Sequence, residues 1–137
     1  MSVLLDAFGL IALLAEEPAA DEVEALLRRG DVAITAVNLA EALDVLQRVE
    51  GIPHDRLEAI TSGLVGERIR LVPIDEPIAR AAADIRARRY HRTRAPISLA
   101  DCILLAATGD TDELATADAP LIRVAAAEKV RVRSLPR

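Results

Sequence analysis

Residues 2–6 read SVLLD, a short apolar run that ends at an acid. Its length and composition suit a strand buried on both faces, as the strands of parallel sheets are. Similar runs recur along the chain, separated by longer stretches with apolar residues at helical spacing. This alternation predicts an α/β fold with a central parallel sheet of about five strands. The predicted strands are residues 2–5, 32–35, 69–72, 113–115 and 131–133.

The stretches between these runs predict the helices. Residues 19–29, for example, place Val23, Leu26 and Leu27 on one face and stop at Gly30. Residues 99–108 are apolar nearly all round, which indicates a helix enclosed by the rest of the domain. No internal repeat or linker divides the chain, so we expect one domain over residues 1–137. The remaining predicted helices are 37–50, 55–65, 75–89 and 118–128.

Composition narrows the class of protein. A net charge of −5 argues against a surface that attracts nucleic acid everywhere, so any contact with RNA must be local. Cys102 is the only cysteine, which leaves no disulfide framework and no thiolate metal site. A reducing compartment, the cytoplasm, is therefore expected. Asp6 interrupts the apolar start of the chain, and no stretch reaches the roughly 20 apolar residues of a membrane span, so we expect no membrane partner.

Four acids follow strands or begin helices. Asp6 directly follows the first strand, Glu41 lies in the helix after the second, Asp101 begins the enclosed helix, and Asp118 comes shortly after the fourth strand. The carboxyl ends of parallel strands share one edge of the sheet, where α/β folds bind ligands, so these acids can meet in one cleft. Carboxylates that meet must protonate or share a cation. An all-oxygen set suits Mg²⁺ or Mn²⁺, and such an ion can activate water for phosphodiester hydrolysis.

Ordinary structural roles are open to most of these acids. Asn38 to Glu41 and Ser98 to Asp101 both have the spacing of a helix capping box, and Asp118 has the position of an N-cap. Asp6 is harder to explain in this way, because a carboxylate at the end of a buried strand is seldom unpaired. Four polar residues are candidates to hydrogen-bond the carboxylates or a bound water, namely Thr35, Asn38, Ser98 and Thr116.

A basic segment precedes the Ser98 to Asp101 site. Residues 86–94 contain five arginines and no acid, and they could hold an RNA backbone beside the cleft. The alternative is a solvated helix end whose cations complement the helix dipole. The candidate RNA-binding residues are Arg86, Arg89, Arg92 and Arg94.

Four sequence motifs in this order resemble the PIN-domain family, and within it the VapC-type toxins of toxin–antitoxin pairs. They are LLDA near the start, TAVNLAEAL after the second strand, ISLADCILLAAT, and LATADAPL near the end. The resemblance covers essentially the whole chain. It implies a three-layer α/β/α domain and a Mg²⁺- or Mn²⁺-dependent endoribonuclease that cuts structured RNA such as tRNA or rRNA. Its catalytic acids would be Asp6, Glu41, Asp101 and Asp118, with the three aspartates as metal ligands.

The same resemblance implies partners and exposes one departure. Family toxins commonly form homodimers and are inhibited by a cognate antitoxin protein. The family pattern has Ser or Thr two residues after the first Asp, where this chain has Phe8. A catalytically silent PIN domain that binds RNA or protein is therefore the main alternative. A phosphoacceptor domain is disfavoured because the only lysine, Lys129, ends the last helix, and no Gly-rich turn supports dinucleotide binding.

Overall fold

The computed structural model describes all 137 residues and contains one sheet of five strands. Every neighbouring pair is parallel, and the strand order is β3-β2-β1-β4-β5. The predicted parallel sheet is therefore confirmed. The strands are β1 (Val3–Leu5), β2 (Val32–Thr35), β3 (Ile69–Val72), β4 (Glu113–Thr116) and β5 (Arg131–Ser134).

Seven helices connect and cover the strands, one more than predicted. The additional helix, α1, begins directly after β1 without an intervening loop. All seven are too short or too polar to span a lipid bilayer. The helices are α1 (Ala7–Leu14), α2 (Ala20–Arg29), α3 (Ala36–Arg48), α4 (His54–Ser62), α5 (Glu76–Arg89), α6 (Leu99–Ala107) and α7 (Ala119–Ala127).

Two buried aliphatic clusters lie on opposite faces of the sheet. Val3 and Leu5 of β1 point into a cluster with α1 and α2, whereas Leu4 points into a cluster with α5, α6 and α7. Successive strand residues face opposite sides, so this division shows that helices cover both faces. The three-layer α/β/α arrangement is confirmed, and its core is aliphatic.

The strand order fixes where a site can form. The chain moves from β1 to β2 and β3 on one side, and later adds β4 and β5 on the other side of β1. The order thus reverses between β1 and β4, and ligands of α/β sheets bind at such a reversal, outside the carboxyl ends of the strands. Asp6 follows β1 and Asp118 follows β4 at this point.

Helix α6 is less enclosed than its composition predicts. Cys102, Leu104 and Leu105 are buried as expected, but Leu99 at the start of the helix is 51% exposed. The prediction of a helix enclosed all round was wrong at this end. The cause is that Leu99 lies in the first turn of α6, which begins at the surface of the domain.

Candidate active site

Asp6 is the most buried acid of the four and has two hydrogen-bond donors. It is 7% exposed and is the N-cap of α1, with Oδ1 accepting from the Gly9 N–H at 3.0 Å. The Thr116 hydroxyl donates to Oδ2 at 2.6 Å. Burial raises the pKa of Asp6 to about 6, and the charges of Asp101 and Asp118 add to the rise. Asp6 therefore caps a helix, a role that the sequence did not reveal. It also lies close enough to Asp101 and Asp118 to be affected by their negative charges.

Thr116 joins the Asp6 and Asp118 segments through one buried hydroxyl. Its Oγ1 donates to Asp6 and accepts from the Asp118 N–H at 3.1 Å. Asp118 is the N-cap of α7, as its sequence position predicts, and its Oδ2 accepts from the Leu121 N–H at 3.1 Å. A single side chain at the end of β4 thus sets the relative position of two acids.

Asp101 belongs to a capping box at the start of α6. Its backbone N–H donates to Ser98 Oγ at 3.0 Å, and the Ser98 N–H donates back to Asp101 Oδ2 at 2.9 Å. The pKa of Asp101 is raised, first by burial and then by the charge of Asp118. The capping role predicted from spacing is confirmed, and one carboxylate oxygen, Oδ1, has no hydrogen-bond donor in the chain.

Glu41 lies at the rim of the site and is held by a chain of side chains. Asn38 Nδ2 donates to Glu41 Oε1 at 3.2 Å, and the Thr35 hydroxyl donates to Asn38 Oδ1 at 2.7 Å. The pKa of Glu41 is raised by partial burial and by the charge of Asp101. The predicted capping box from Asn38 to Glu41 was wrong, because Thr35 caps α3 and the helix begins at Ala36.

The four carboxyl groups share one electrostatic environment at the carboxyl edge of the sheet. Asp101 and Asp118 raise the pKa of Asp6, Asp118 raises that of Asp101, and Asp101 raises that of Glu41. Only one ion pair includes any of these four acids, and it joins Arg137 to Asp118 at 3.9 Å. Repulsion among the acids is therefore almost uncompensated by the protein's own cations.

The donor set fits a hard divalent cation, although it does not form a closed cage. No group of three or more His, Cys, Asp or Glu side chains is arranged to hold an ion by itself. Mg²⁺ commonly uses one or two carboxylates and keeps several waters, so a complete protein cage is not required. All the candidate ligand atoms are oxygens, which such an ion prefers. Its positive charge would also offset the repulsion that helps to raise the pKa values of Asp6 and Asp101.

The basic segment is divided between engaged and free arginines. Arg86 lies over the Tyr90 ring at 4.4 Å and donates to the Ile97 carbonyl at 3.3 Å. Arg89 and its neighbour Arg88 bind Glu128 at 2.7 and 2.8 Å, which lowers the pKa of Glu128 to about 2. Sequence reasoning missed Glu128, which arrives from the end of α7.

The other two candidates of this segment, Arg92 and Arg94, are exposed and form no ion pair. RNA binding by the four arginines stays a prediction. Arg86 and Arg89 already have partners within the chain, so they are less available for phosphate.

Comparison with known protein families gives a match that covers most of the chain. The family model for the PIN domain matches residues 3–127. Comparison with curated protein sequences gives no match.

Similar solved structures extend over nearly the full length. DNA-bound VapBC from Salmonella typhimurium has a TM-score of 0.71 and 18% identity, and the match covers 98% of each chain. VapBC2 from Rickettsia felis bound to a promoter DNA fragment has a TM-score of 0.71 and 14% identity over 99% of this chain and 100% of that one. FitAcB from Neisseria gonorrhoeae has a TM-score of 0.66 and 25% identity over 95% of each chain.

Proposed function

The chain belongs to the PIN-domain family, and from that premise we propose that it is a Mg²⁺- or Mn²⁺-dependent endoribonuclease, the toxin of a toxin–antitoxin pair. Its substrate would be structured RNA such as tRNA or rRNA, in the cytoplasm. The observation that carries the proposal is that acids from four segments lie close enough at the sheet edge to interact: Asp101 and Asp118 raise the pKa of Asp6, and Asp101 raises that of Glu41. A fold that keeps repelling groups together gains from a cation that they share.

The chain's own residues divide the work at this edge. Asp6, Asp101 and Asp118 are the candidate ligands of a divalent ion, which would need waters to complete its coordination. Such an ion would offset charge on a phosphate and lower the pKa of a nearby water. Thr116 keeps Asp6 and Asp118 in position. The Thr35 and Asn38 pair fixes Glu41 at the rim, from where its carboxylate can accept a proton from an attacking water.

Cleavage of RNA by matched variants tests this assignment. Asp101→Asn should reduce cleavage at least about 100-fold, since even the partners around metal ligands are worth about 10- to 100-fold. Asn can still accept the Ser98 N–H, so the capping contact survives. Asp75→Asn is the control, because Asp75 also accepts a backbone N–H at a helix start, as the N-cap of α5, but lies outside the cluster. Equal activity of both variants, or full activity in EDTA, would show the assignment to be wrong.

A silent PIN domain is the second candidate, and Phe8 favours it. Phe8 lies in the first turn of α1 and packs, partly buried, against the core. It therefore offers no hydroxyl beside Asp6. Calorimetry with Mn²⁺ separates the two candidates. Binding that is lost in Asp101→Asn supports the nuclease, and no binding at millimolar metal supports the silent domain.

An antitoxin partner follows from the same proposal. The similar structures from Salmonella typhimurium and Rickettsia felis are described as VapBC complexes, and one from Klebsiella pneumoniae as a toxin–antitoxin complex. Expression of this chain alone should arrest growth, and co-expression of the protein encoded beside it should restore growth. Arrest that persists in Asp101→Asn would point to a cause other than RNA cleavage.

A homodimer is also part of the proposal, with the contact at the start of α6. Leu99 and Tyr90 are 51% and 46% exposed and, with Ala83 and Ala87, line a hollow of about 410 Å³. Arg86 also lines this hollow, and its patch of apolar side chains is the candidate contact with a second copy of the chain. Leu99→Asp should shift the mass in solution from dimer to monomer, whereas Val49→Asp, at an exposed apolar position outside the patch, should not. A monomeric wild type would refute the dimer.

A further inference from the structure

The segment after β5 runs beside the carboxylate cluster. Ser134 pairs with Thr116 in the sheet, and the Leu135 N–H then donates to the Thr116 carbonyl at 2.8 Å. Leu135 is buried in the core beside Gly9 of α1. Buried contacts therefore fix the residue that stands two positions before Arg137.

Arg137 reaches the cluster through two long contacts. Its Nε donates to the Ala117 carbonyl at 3.3 Å, and a terminal nitrogen lies 3.9 Å from Asp118 Oδ1. The side chain is 72% exposed. Exposed ion pairs of this length contribute little to stability, so the guanidinium can leave Asp118 at small cost.

We propose that Arg137 binds a phosphate of the RNA backbone next to the acids and positions the strand there. This inference rests on the proposed function and adds a residue to its substrate site. A polyanion that approaches four carboxylates on a chain of net charge −5 needs a local cation. A guanidinium presents paired N–H donors that match phosphate oxygens, and Arg137 is the cation already beside the cluster.

Other arginines are less suited to the task. Arg92 and Arg94 are exposed but form no ion pair with the acids. Arg88 and Arg89 are bound by Glu128, and Arg133 is bound by Glu113. Arg123 donates to the Arg94 carbonyl at 3.4 Å and has no contact with the acids. Arg137 alone forms an ion pair within the cluster.

Binding of a labelled single-stranded RNA oligonucleotide tests the inference without cleavage. Fluorescence anisotropy would be measured in EDTA and again with Ca²⁺, over a series of salt concentrations. Arg137→Ala should weaken binding roughly three- to tenfold and reduce the slope of log K against log salt by about 0.7, the value for one phosphate of a single strand. Arg137→Lys should keep the slope but recover only part of the affinity, because it keeps the charge and loses the paired donors.

The control is Arg48→Ala, which removes the same charge from an exposed arginine paired with Asp44 elsewhere on the surface. Equal weakening by both alanine variants would reduce the effect to net charge and overturn the inference. Unchanged binding in Arg137→Ala, or no binding by the wild type, would overturn it as well. Tighter binding would instead identify Arg137 as an inhibitory cation at Asp118.

Failure of the proposed function is distinguishable from failure of this inference. If Arg137→Ala binds RNA more weakly but the wild type never cuts RNA, the phosphate contact is supported and the nuclease assignment is wrong. If the wild type cuts RNA but Arg137→Ala binds RNA as well as the wild type does, the nuclease assignment is supported and the phosphate contact is wrong.

Discussion

Replacement of Asp6 with Asn should stabilise the metal-free protein at pH 7.5. Asp6 is 7% exposed, and burial together with two neighbouring acids raises its pKa from 3.8 to about 6. An acid with a raised pKa in the folded state destabilises the fold where it is ionised. This penalty is absent below pH 3.8, grows between pH 3.8 and about 6, and is complete above about 6.

The size of the effect follows from the two pKa values. A rise from 3.8 to about 6 corresponds to about 3 kcal/mol, at about 1.36 kcal/mol for each pH unit. Asn keeps the N-cap bond from Gly9 but loses the charge-assisted bond from Thr116, which offsets about 1 to 2 kcal/mol. Asp6→Asn should therefore raise the free energy of unfolding by about 1 to 2 kcal/mol at pH 7.5, and the gain should vanish between about pH 4.5 and about pH 5.3, where the penalty equals this offset.

Urea unfolding in EDTA, followed by circular dichroism because the chain has no Trp, measures this difference. Asp75→Asn is the matched control, since Asp75 caps α5 through the Ile78 N–H at 3.0 Å on an exposed surface. It should change the free energy of unfolding by less than about 0.5 kcal/mol. Addition of Mn²⁺ at about 100 times its dissociation constant should stabilise the wild type by about 2.7 kcal/mol. The same addition should stabilise Asp6→Asn less, because the variant lacks one candidate ligand.

A specific result would refute this reasoning. If Asp6→Asn were less stable than the wild type in EDTA at pH 7.5, while Asp75→Asn were neutral, the Asp6 carboxylate would be stabilising as an ordinary N-cap. The raised pKa and the need for a cation would then both be wrong. A gain that did not shrink as the pH fell would separate the stabilisation from ionisation of Asp6.

Three further outcomes are expected. Thr116→Val should cost about 1 to 3 kcal/mol in urea unfolding and raise the pKa of Asp6 further, whereas Thr116→Ser should retain both the hydroxyl and most of the stability. Glu128→Gln should cost about 1 kcal/mol at pH 7, after allowance for its partly exposed arginine partners; because the Glu128 pKa is lowered to about 2, the difference from wild type should persist above pH 4.5 and disappear as the pH falls towards about 2. Cys102 is fully buried and has a pKa raised to about 11, so it should react with a thiol reagent only after unfolding, and rapid reaction of the native protein would contradict the packing of α6.

The parallel sheet was predictable from the sequence because its strands are short apolar runs with few alternatives. Helix α1 was not, because AFGLIALL has no polar face and contains Gly9, so it shows no helical periodicity. Gly9 is explained by packing, since a Cβ there would lie 3.3 Å from Leu5 Cδ2. Without α1 in view, Asp6 could be read only as an acid at the end of a strand.

The N-cap of α3 was misassigned for a related reason, although the predicted start at residue 37 lies one residue from the observed start at Ala36. Thr35 is both the last residue of β2 and the N-cap of α3, so no loop separates the two elements. Sequence signals for a helix start assume a connecting segment and favoured Asn38. The contacts of Glu128 with Arg88 and of Arg137 with Asp118 join distant elements, and no local pattern predicts such pairs.

Helix capping and ion binding are not competing explanations for the three aspartates. Asp6 and Asp118 are N-caps, and Asp101 is the acidic member of a capping box, so the starts of α1, α6 and α7 all face one edge. Backbone N–H groups and positive helix ends partly offset the repulsion among these acids before any cation binds. The fold can therefore keep the cluster in the metal-free state. Because Asn caps a helix about as well as Asp, substitutions to Asn remove the charge and preserve the cap, and they separate the two roles in a way that substitutions to Ala cannot.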